Sequence, residues 1–392
     1  MTRTQIKSGL FLSFFIFFIS FSVSALVIED DYFGYSLDIP EGFQLTSQTD
    51  DGLSYLFTHP ELPVELAIRL YINDNTTNSN EILNQTLDKL NAQKEIDSFF
   101  WNTSICSVSS FKFNLQEEKA GWSVCSPTVK NKGFVVLLCY SPASKEQACE
   151  KFIISTINSL CIEKNYHNTP GIITTYAFPA EGKKNIQLKI ADKKINTSID
   201  NADIEAAQFV IDTEYSVLKM YAKHKLWKEA WIRYYRLIYR DNYGRLNKVS
   251  SDIKNAFREM NKTGEISNFN LFMAQSILSW TQNFEYQRAK TAFESDFTSL
   301  PAVLCGTGND CDSRSMLICV LMNSMGIDSI MLFSPEYSHA IAAIDLKEPG
   351  QTYTLKENNK NYLLGETTAK ITWGMISSNH ADKSKWIPVI FN

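Results

Sequence analysis

The stretch Gly306-Thr-Gly-Asn-Asp-Cys-Asp-Ser-Arg-Ser-Met-Leu-Ile-Cys-Val-Leu-Met-Asn-Ser-Met-Gly326 constrains the fold more than any other. A glycine-containing polar loop runs into Asp310-Cys311, and a strongly apolar helix follows. Gly326 is a natural helix stop, because glycine enters the left-handed region without steric cost. A helix apolar on nearly every side belongs in a core. Cys311 therefore falls at the N-terminus of a buried, rigid helix. Unpaired backbone N–H groups and the positive dipole end favour thiolate there, so the reading expects a lowered cysteine pKa. Asp310 and Asp312 are read as serving the helix start.

A chain that buries such a helix needs a sizeable ordered body, and the composition agrees. Of 392 residues, 21% are charged and 44% apolar, with only 16 glycines and 11 prolines. This excludes collagen, a long disordered tail and a polytopic membrane protein. The formal charge is −5, from 38 basic and 43 acidic side chains, which gives no electrostatic case for nucleic acid. There is no Walker loop, dinucleotide fingerprint or metal-ligand cluster in the sequence pattern, so no cofactor and no metal is expected.

The N-terminus reads as an export signal. Arg3 and Lys7 precede the apolar run Leu10–Phe21, which ends in Ser22-Val-Ser-Ala25. A basic start, a short apolar run and small residues at the end predict a signal peptide, residues 1–25, cleaved after Ala25. The alternative is an uncleaved anchor, since residues 8–28 carry no charge and about 20 apolar residues suffice to cross a bilayer. Cleavage takes the formal charge from −5 to −7. The expected location is secreted, periplasmic or in the cell envelope, with membrane contact only if the segment stays. Export permits disulfides. The eight cysteines divide into Cys106, Cys125, Cys139, Cys149 and Cys161, then Cys305, Cys311 and Cys319. Cys305 and Cys319 are read as structural residues that pair with each other and leave Cys311 free. Sequons occur at Asn75, Asn84, Asn102, Asn196 and Asn261.

Three regions follow the signal. Residues 26–162 read as α+β. Period-2 strands are expected at 35–39, 64–72 and 133–140, with helices near 80–93 and 144–160. This order, with the phrase Tyr35-Ser-Leu-Asp-Ile-Pro-Glu-Gly-Phe43, resembles small PsbP/Mog1-like domains and implies a docking or binding module for a cell-envelope partner. Residues 163–255 read as a connector, with short strands near 171–178 and 185–190 and helical text from Asp203 to about Tyr243. Trp227, Trp231, Tyr234, Tyr235 and Ile238 recur there at helical spacing among Lys223, Lys225, Lys228, Arg233, Arg236 and Arg240. A polyanion or membrane-surface helix would look like this. A helix that packs its aromatics on a neighbour and solvates its cations looks the same, and is the preferred reading.

Residues 256–392 hold the candidate chemistry. Only five histidines exist. His339 opens the apolar strand His339–Ile344, where a base on a sheet edge faces a cysteine on a helix tip. Tyr362-Leu-Leu-Gly-Glu-Thr-Thr368 reads as another strand ending in Glu366. Cysteine, histidine and acid make a nucleophile, base and orienter. His380 is the backup base.

The pattern Gly308-Asn-Asp-Cys-Asp312 before an apolar helix, a histidine opening a strand and then Gly365-Glu-Thr-Thr368 resembles the transglutaminase-like superfamily, whose core is papain-like. Ile277-Leu-Ser-Trp-Thr-Gln-Asn-Phe-Glu-Tyr286 and Ser299-Leu-Pro301 fit the same likeness, which covers about 140 residues. By that resemblance Cys311 is the nucleophile, His339 the general base and Glu366 the orienter. Gln282 and the Cys311 backbone N–H are the oxyanion donors. Asn309, Glu366 in place of aspartate, and the polar insertion Lys347–Lys360, read as a hairpin tip at the cleft, depart from the family pattern. The expected fold is thus α+β: a papain-like, transglutaminase-like C-terminal core, a helical connector and a separate small α+β domain. The expected activity is cleavage or transfer of amide bonds in protein or peptide substrates through a thioester, with hydrolysis favoured. The alternative is an inert scaffold whose residues 26–162 recognise a partner.

Overall fold

Strand alternation organises the first half of the chain. The structure is a computed structural model and describes residues 27–72, 78–288 and 295–391. The expected signal segment 1–25 and the sequon at Asn75 lie outside the described residues. The first strands are β1 (Val27–Asp30), β2 (Tyr35–Asp38), β3 (Gln44–Gln48), β4 (Ser54–Thr58) and β5 (Glu65–Ile72). In β5 the alternation is literal: Leu66, Ile68 and Leu70 are buried and the residues between them are half-buried.

The next elements are α1 (Ser79–Asp88), β6 (Gln93–Trp101), β7 (Ser104–Leu115), β8 (Glu117–Pro127) and β9 (Gly133–Pro142). The α1 helix stops short of residue 93, because Asn91 takes a left-handed backbone (φ 50°) and turns the chain into β6. A seven-stranded antiparallel sheet results, in the order β3-β4-β5-β9-β8-β7-β6. Central strand β9 is buried on both faces, as its continuous apolar run requires. Ile82, Leu83 and Leu87 of α1 cover one face with Phe111, Phe134 and Val136. On the other face Phe152, Ile153 and Ile157 of α2 (Glu146–Asn158) pack with Leu66, Leu70 and Leu137.

A two-residue strand, β10 (Cys161–Ile162), pairs with β2. Residues 171–178, read as a strand, instead contain the helix α3 (Ile172–Ala177). Isoleucine and threonine gave the strand signal. The Asn158 side chain overrides it by accepting from the Thr174 N–H (3.0 Å) and donating to Thr174 Oγ1 (2.9 Å). The hairpin β11 (Lys183–Ile190) and β12 (Lys193–Asp200) follows. Its turn residues Ala191 and Asp192 both have positive φ (48° and 60°), as a type I′ turn demands.

The second half runs α4 (Asp203–Met220), α5 (Trp227–Arg245), α6 (Asn247–Met260), α7 (Phe269–Thr281), α8 (Leu300–Leu304), α9 (Cys311–Met325), β13 (Ser329–Ser334), β14 (His339–Ile344), β15 (Thr352–Thr354), β16 (Asn361–Gly365) and β17 (Ile387–Val389). The last five strands form an antiparallel sheet ordered β15-β16-β14-β13-β17, and α9 packs on β14 and β13. The molecule is thus mixed helix and sheet, consistent with α+β.

The α5 helix resolves the two readings of the basic aromatic stretch. Trp231 and Tyr235 pack on Phe333 of β13, and Tyr239 stacks on Phe391 at 3.9 Å between ring centroids. From Trp231 to Ile238 the aromatic stripe packs into core, while Trp227 at the start of the helix is exposed. Lys223, Lys225 and Lys228 are exposed, but Arg233 and Arg240 are buried, which corrects the expectation that the cations face solvent. Arg233 donates to Glu214 Oε2 (2.9 Å), Ser155 Oγ (2.9 Å) and the Asp38 carbonyl (2.7 Å). Arg240 donates to the carbonyls of Ser159, Leu160 and Thr169.

Glu41 stands close by, 3% exposed, with neither carboxylate oxygen accepting a hydrogen bond. Burial pushes it up to about 7, although Arg233 pulls the other way. A carboxyl raised in the fold contributes its stability below the unfolded value of about 4.5, and loses it as pH rises through 7. Glu41→Gln should match the parent at pH 4 and exceed it at pH 9 by up to about 3 kcal/mol, read by urea denaturation at both pH values. Arg233→Ala leaves Glu214 buried and unpaired, and should cost about 3–5 kcal/mol in the same measurement at pH 7.

Candidate functional site

The start of α9 forms as the sequence requires. Asp310 is extended (φ −103°, ψ −171°), and its Oδ1 accepts from the N–H (3.0 Å) and Oγ (2.9 Å) of Ser313. It is the N-cap, and Cys311 is the first helical residue. Met316 to Met322 are 0% exposed, so core surrounds the helix and fixes its tip. Gly326 ends it with φ 91°.

His339 is the first residue of β14, and Glu366 follows the last residue of β16. His339 Nε2 lies 2.9 and 3.1 Å from the two Glu366 oxygens. Thr368 donates to Glu366 Oε1 through its N–H (2.8 Å) and its Oγ1 (2.6 Å). Burial alone would raise Glu366, but the hydrogen bonds from His339 and Thr368 and the charge of His339 outweigh it and hold the carboxyl at about 2. Gly365 is required by space: a Cβ there would come 2.3 Å from Trp373 Cζ3. Beside His339, Arg288 Nη2 reaches both the Ser338 carbonyl (3.0 Å) and the Cys311 sulfur (4.0 Å). His339 and Glu366 thus meet across β14 and β16, and Cys311 stands at the tip of α9, which packs on β14.

The electrostatics at the sulfur differ from expectation. Cys311 is 1% exposed. Burial pushes the thiol up, and Asp312 and Asp310 push it further, against the Ala340 N–H and the Arg288 guanidinium. Sγ lies 3.5 Å from Asp312 Oδ1 and 4.0 Å from Arg288 Nη2. The lowered pKa read from the helix terminus is therefore overturned: two carboxyls and loss of water outweigh the dipole end.

Gln282 also departs from its expected role. Its Nε2 donates to the carbonyls of Glu366 (2.8 Å) and Ile371 (2.9 Å). Both amide hydrogens are thereby used, so in this arrangement Gln282 is no oxyanion donor. It positions the Glu366 segment instead. The Asp310 cap takes the N–H of Ser313, and Cys311, the first helical residue, has no intrahelical partner for its own N–H.

Arg314 was not singled out by sequence reasoning. Its Nε donates to Asn309 Oδ1 (2.8 Å), Nη2 to the Phe284 carbonyl (2.7 Å) and Nη1 to the Thr367 carbonyl (3.2 Å). One guanidinium thus ties together the cysteine loop, the segment after α7 and the segment after β16. A single cation inside an otherwise apolar helix was the available signal. Asn309 pairs with the Glu285–Gln287 segment as well: its N–H donates to Glu285 O (3.1 Å), and Gln287 N–H donates to its carbonyl (2.9 Å).

A cleft of about 440 Å³ opens here, lined among others by Phe284, Tyr286, Tyr337, His339 and His380. Arg288 reaches Tyr286 Oη (2.9 Å) and the Ser338 carbonyl (3.0 Å) beside the thiol. His380, the backup base, enters the same cleft with its ring centroid 5.1 Å from that of His339. One donor atom from each of His339, Glu366 and His380 lie within 4.8 Å of one another, a cluster that sequence spacing did not reveal. The insertion at 347–360 holds β15, an edge strand paired with β16.

The expected Cys305–Cys319 disulfide is absent: all eight cysteines are free, with Cys305 exposed and Cys319 buried. No helix among the described residues is long and apolar enough to cross a membrane.

No family model matches this chain, and no curated protein does. Among solved structures, the cyanobacterial PsbP of Synechocystis sp. PCC 6803 is 11% identical, over 36% of this chain and 94% of that one, at a TM-score of 0.30. The Ran-binding protein Mog1p of Saccharomyces cerevisiae is 9% identical, over 36% and 96%, at 0.28. A protein of Bacteroides thetaiotaomicron VPI-5482 is 10% identical, over 80% and 84%, at 0.18. The first two carry the names to which residues 26–162 were likened. At these scores none establishes a family.

Gln282→Leu leaves two carbonyls without donors and should cost about 1–3 kcal/mol, measured by denaturant midpoint. Unchanged stability would show that the amide is not engaged as described.

Proposed function

We propose that this chain is an exported cysteine enzyme of the transglutaminase-like, papain-like kind, acting on amide bonds of protein or cell-wall peptide. The observation that carries the reading is the His339–Glu366 hydrogen bond at 2.9 Å, with Ser338 next to His339 sharing Arg288 Nη2 with the Cys311 sulfur. An ionised carboxylate on one ring nitrogen fixes the imidazole's tautomer and supports positive charge on it.

The raised thiol sets the order of events. Cys311 starts neutral, so its proton passes to His339 Nδ1 as Sγ attacks the substrate carbonyl. The Cys311 N–H at the helix start stabilises the oxyanion. His339 then gives the proton to the leaving amine, and a thioester remains. Water, activated by His339, releases the acid and restores the thiol. An amine in place of water yields a cross-link. Hydrolysis is favoured by the resemblance to bacterial members of the superfamily. Residues 26–162 serve as the docking module in this reading.

One set of observations favours a second reading, an inert scaffold that keeps the papain-like core. The thiol is raised, Arg288 lies against it, and Gln282 is occupied. The two readings separate on a peptidyl vinyl sulfone, used in a Cys305→Ser background because Cys305 is exposed. The enzyme reading expects labelling of Cys311, at least about 100-fold slower in His339→Ala, with circular dichroism unchanged. Equal labelling in both proteins, or none in the parent, overturns it.

A further inference from the structure

We infer that His339, Glu366 and His380 form a zinc site whose occupancy switches the cysteine centre off. This regulatory inference rests on the function proposed above. The donor set is two imidazoles and one carboxylate, a ligand set that suits zinc. The spacing suits it too. Tetrahedral zinc with donors at about 2.0–2.1 Å places neighbouring donors about 3.3 Å apart. His339 Nε2 and Glu366 Oε2 already stand 2.9 Å apart, and His380 brings a nitrogen within 4.8 Å of the other two donors.

A second observation is independent of the spacing. His380 Nδ1 is shut off from water and has no hydrogen-bond partner. A buried ring nitrogen without a partner is costly, and a metal ion satisfies it. The surroundings hold the ligands in place. The Trp386 indole donates to the His380 carbonyl (2.9 Å), and the Tyr337 ring lies 5.0 Å from the His380 ring. Thr368 engages Glu366 Oε1, and His339 Nε2 lies against both oxygens, nearer Oε2. Such outer contacts orient metal ligands.

The switch follows from the bonds. Zinc replaces the proton shared between His339 and Glu366, and that proton moves to His339 Nδ1. The nitrogen that should receive the Cys311 proton is then occupied. Three protein ligands leave the fourth position to water or a substrate carboxylate in the cleft.

The test uses the full chain stripped of metal, with zinc competed against a chromophoric chelator. One equivalent should bind. His380→Phe and His380→Gln should each weaken it at least about tenfold, and Cys311→Ser should change it by less than about twofold. Cobalt in place of zinc should show no thiolate charge-transfer band. One equivalent of zinc should suppress vinyl sulfone labelling of Cys311 in the parent. No stoichiometric binding, with labelling intact, overturns this inference and leaves the enzyme reading standing. Binding lost in Cys311→Ser and kept in His380→Phe moves the ion to the Asp310-Cys311-Asp312 cluster and also overturns it. Binding without suppression overturns the switch. Zinc binding as described, with no labelling under any condition, upholds the metal site and removes the enzyme reading.

Discussion

A fully buried arginine on α5 holds the two halves of the molecule in one frame. Arg233 is 2% exposed, and its charge is tolerable only while Glu214, Ser155 and the Asp38 carbonyl surround it. Those partners sit on α4, α2 and β2. The positions of three elements therefore follow from one desolvated cation, because an unpaired guanidinium at that depth would cost several kcal/mol. The opposite side of α5 carries Trp231 and Tyr235 against Phe333, and Tyr235 Oη donates to Asp312 at 2.9 Å. The same helix thus ties down β2 and α2 of the N-terminal region and touches the residue next to the candidate nucleophile.

The tip of α9 shows why a helix terminus does not decide a thiol's charge. The dipole end is worth about 0.3–1 kcal/mol at an exposed site and about 2 in favourable geometry. Removing a thiolate from water costs more than that, and Asp310 and Asp312 add like charge. Asp310 is there as the cap: the residue that starts the helix well is the one that opposes thiolate. The proposed reaction therefore needs a base that takes the proton as the sulfur attacks, which makes the His339–Glu366 pair its central element.

Much of this was legible. The alternation of Val64–Ile72 and the isolation of Gly326 after an apolar helix translate directly into β5 and α9. The strands expected to begin at His339 and to end at Glu366 are β14 and β16. The misreadings have physical causes. The α3 helix carries β-branched residues, and its turn is set by Asn158, which is remote in sequence. The β12 strand was not expected, because its buried Ile195, Thr197 and Ile199 alternate with lysine and other polar residues. Gln282 was assigned through a resemblance, and its bonds to the carbonyls of Glu366 and Ile371 are tertiary facts that no local spacing encodes. Arg233 and Arg240 looked like solvated cations because sequence shows the charge but not the carbonyls that surround it.

His380 illustrates the same boundary from the other side. It lies in a short 3₁₀ turn (Ser378–His380) that no periodicity predicts, and β17 and the Trp386 indole carry it into the cleft. Once there it changes what the carboxylate means. In the proposed readings a buried Glu366 held ionised by one imidazole serves as an orienter, and with a second imidazole beside it the same carboxylate serves as a cation ligand. The two roles use the same lone pairs, so they exclude each other. In the proposed reading, the species between His339 and Glu366, a proton or a metal ion, sets whether Cys311 has a base. That choice depends on three side chains that only the folded sheet and its C-terminal turn bring together.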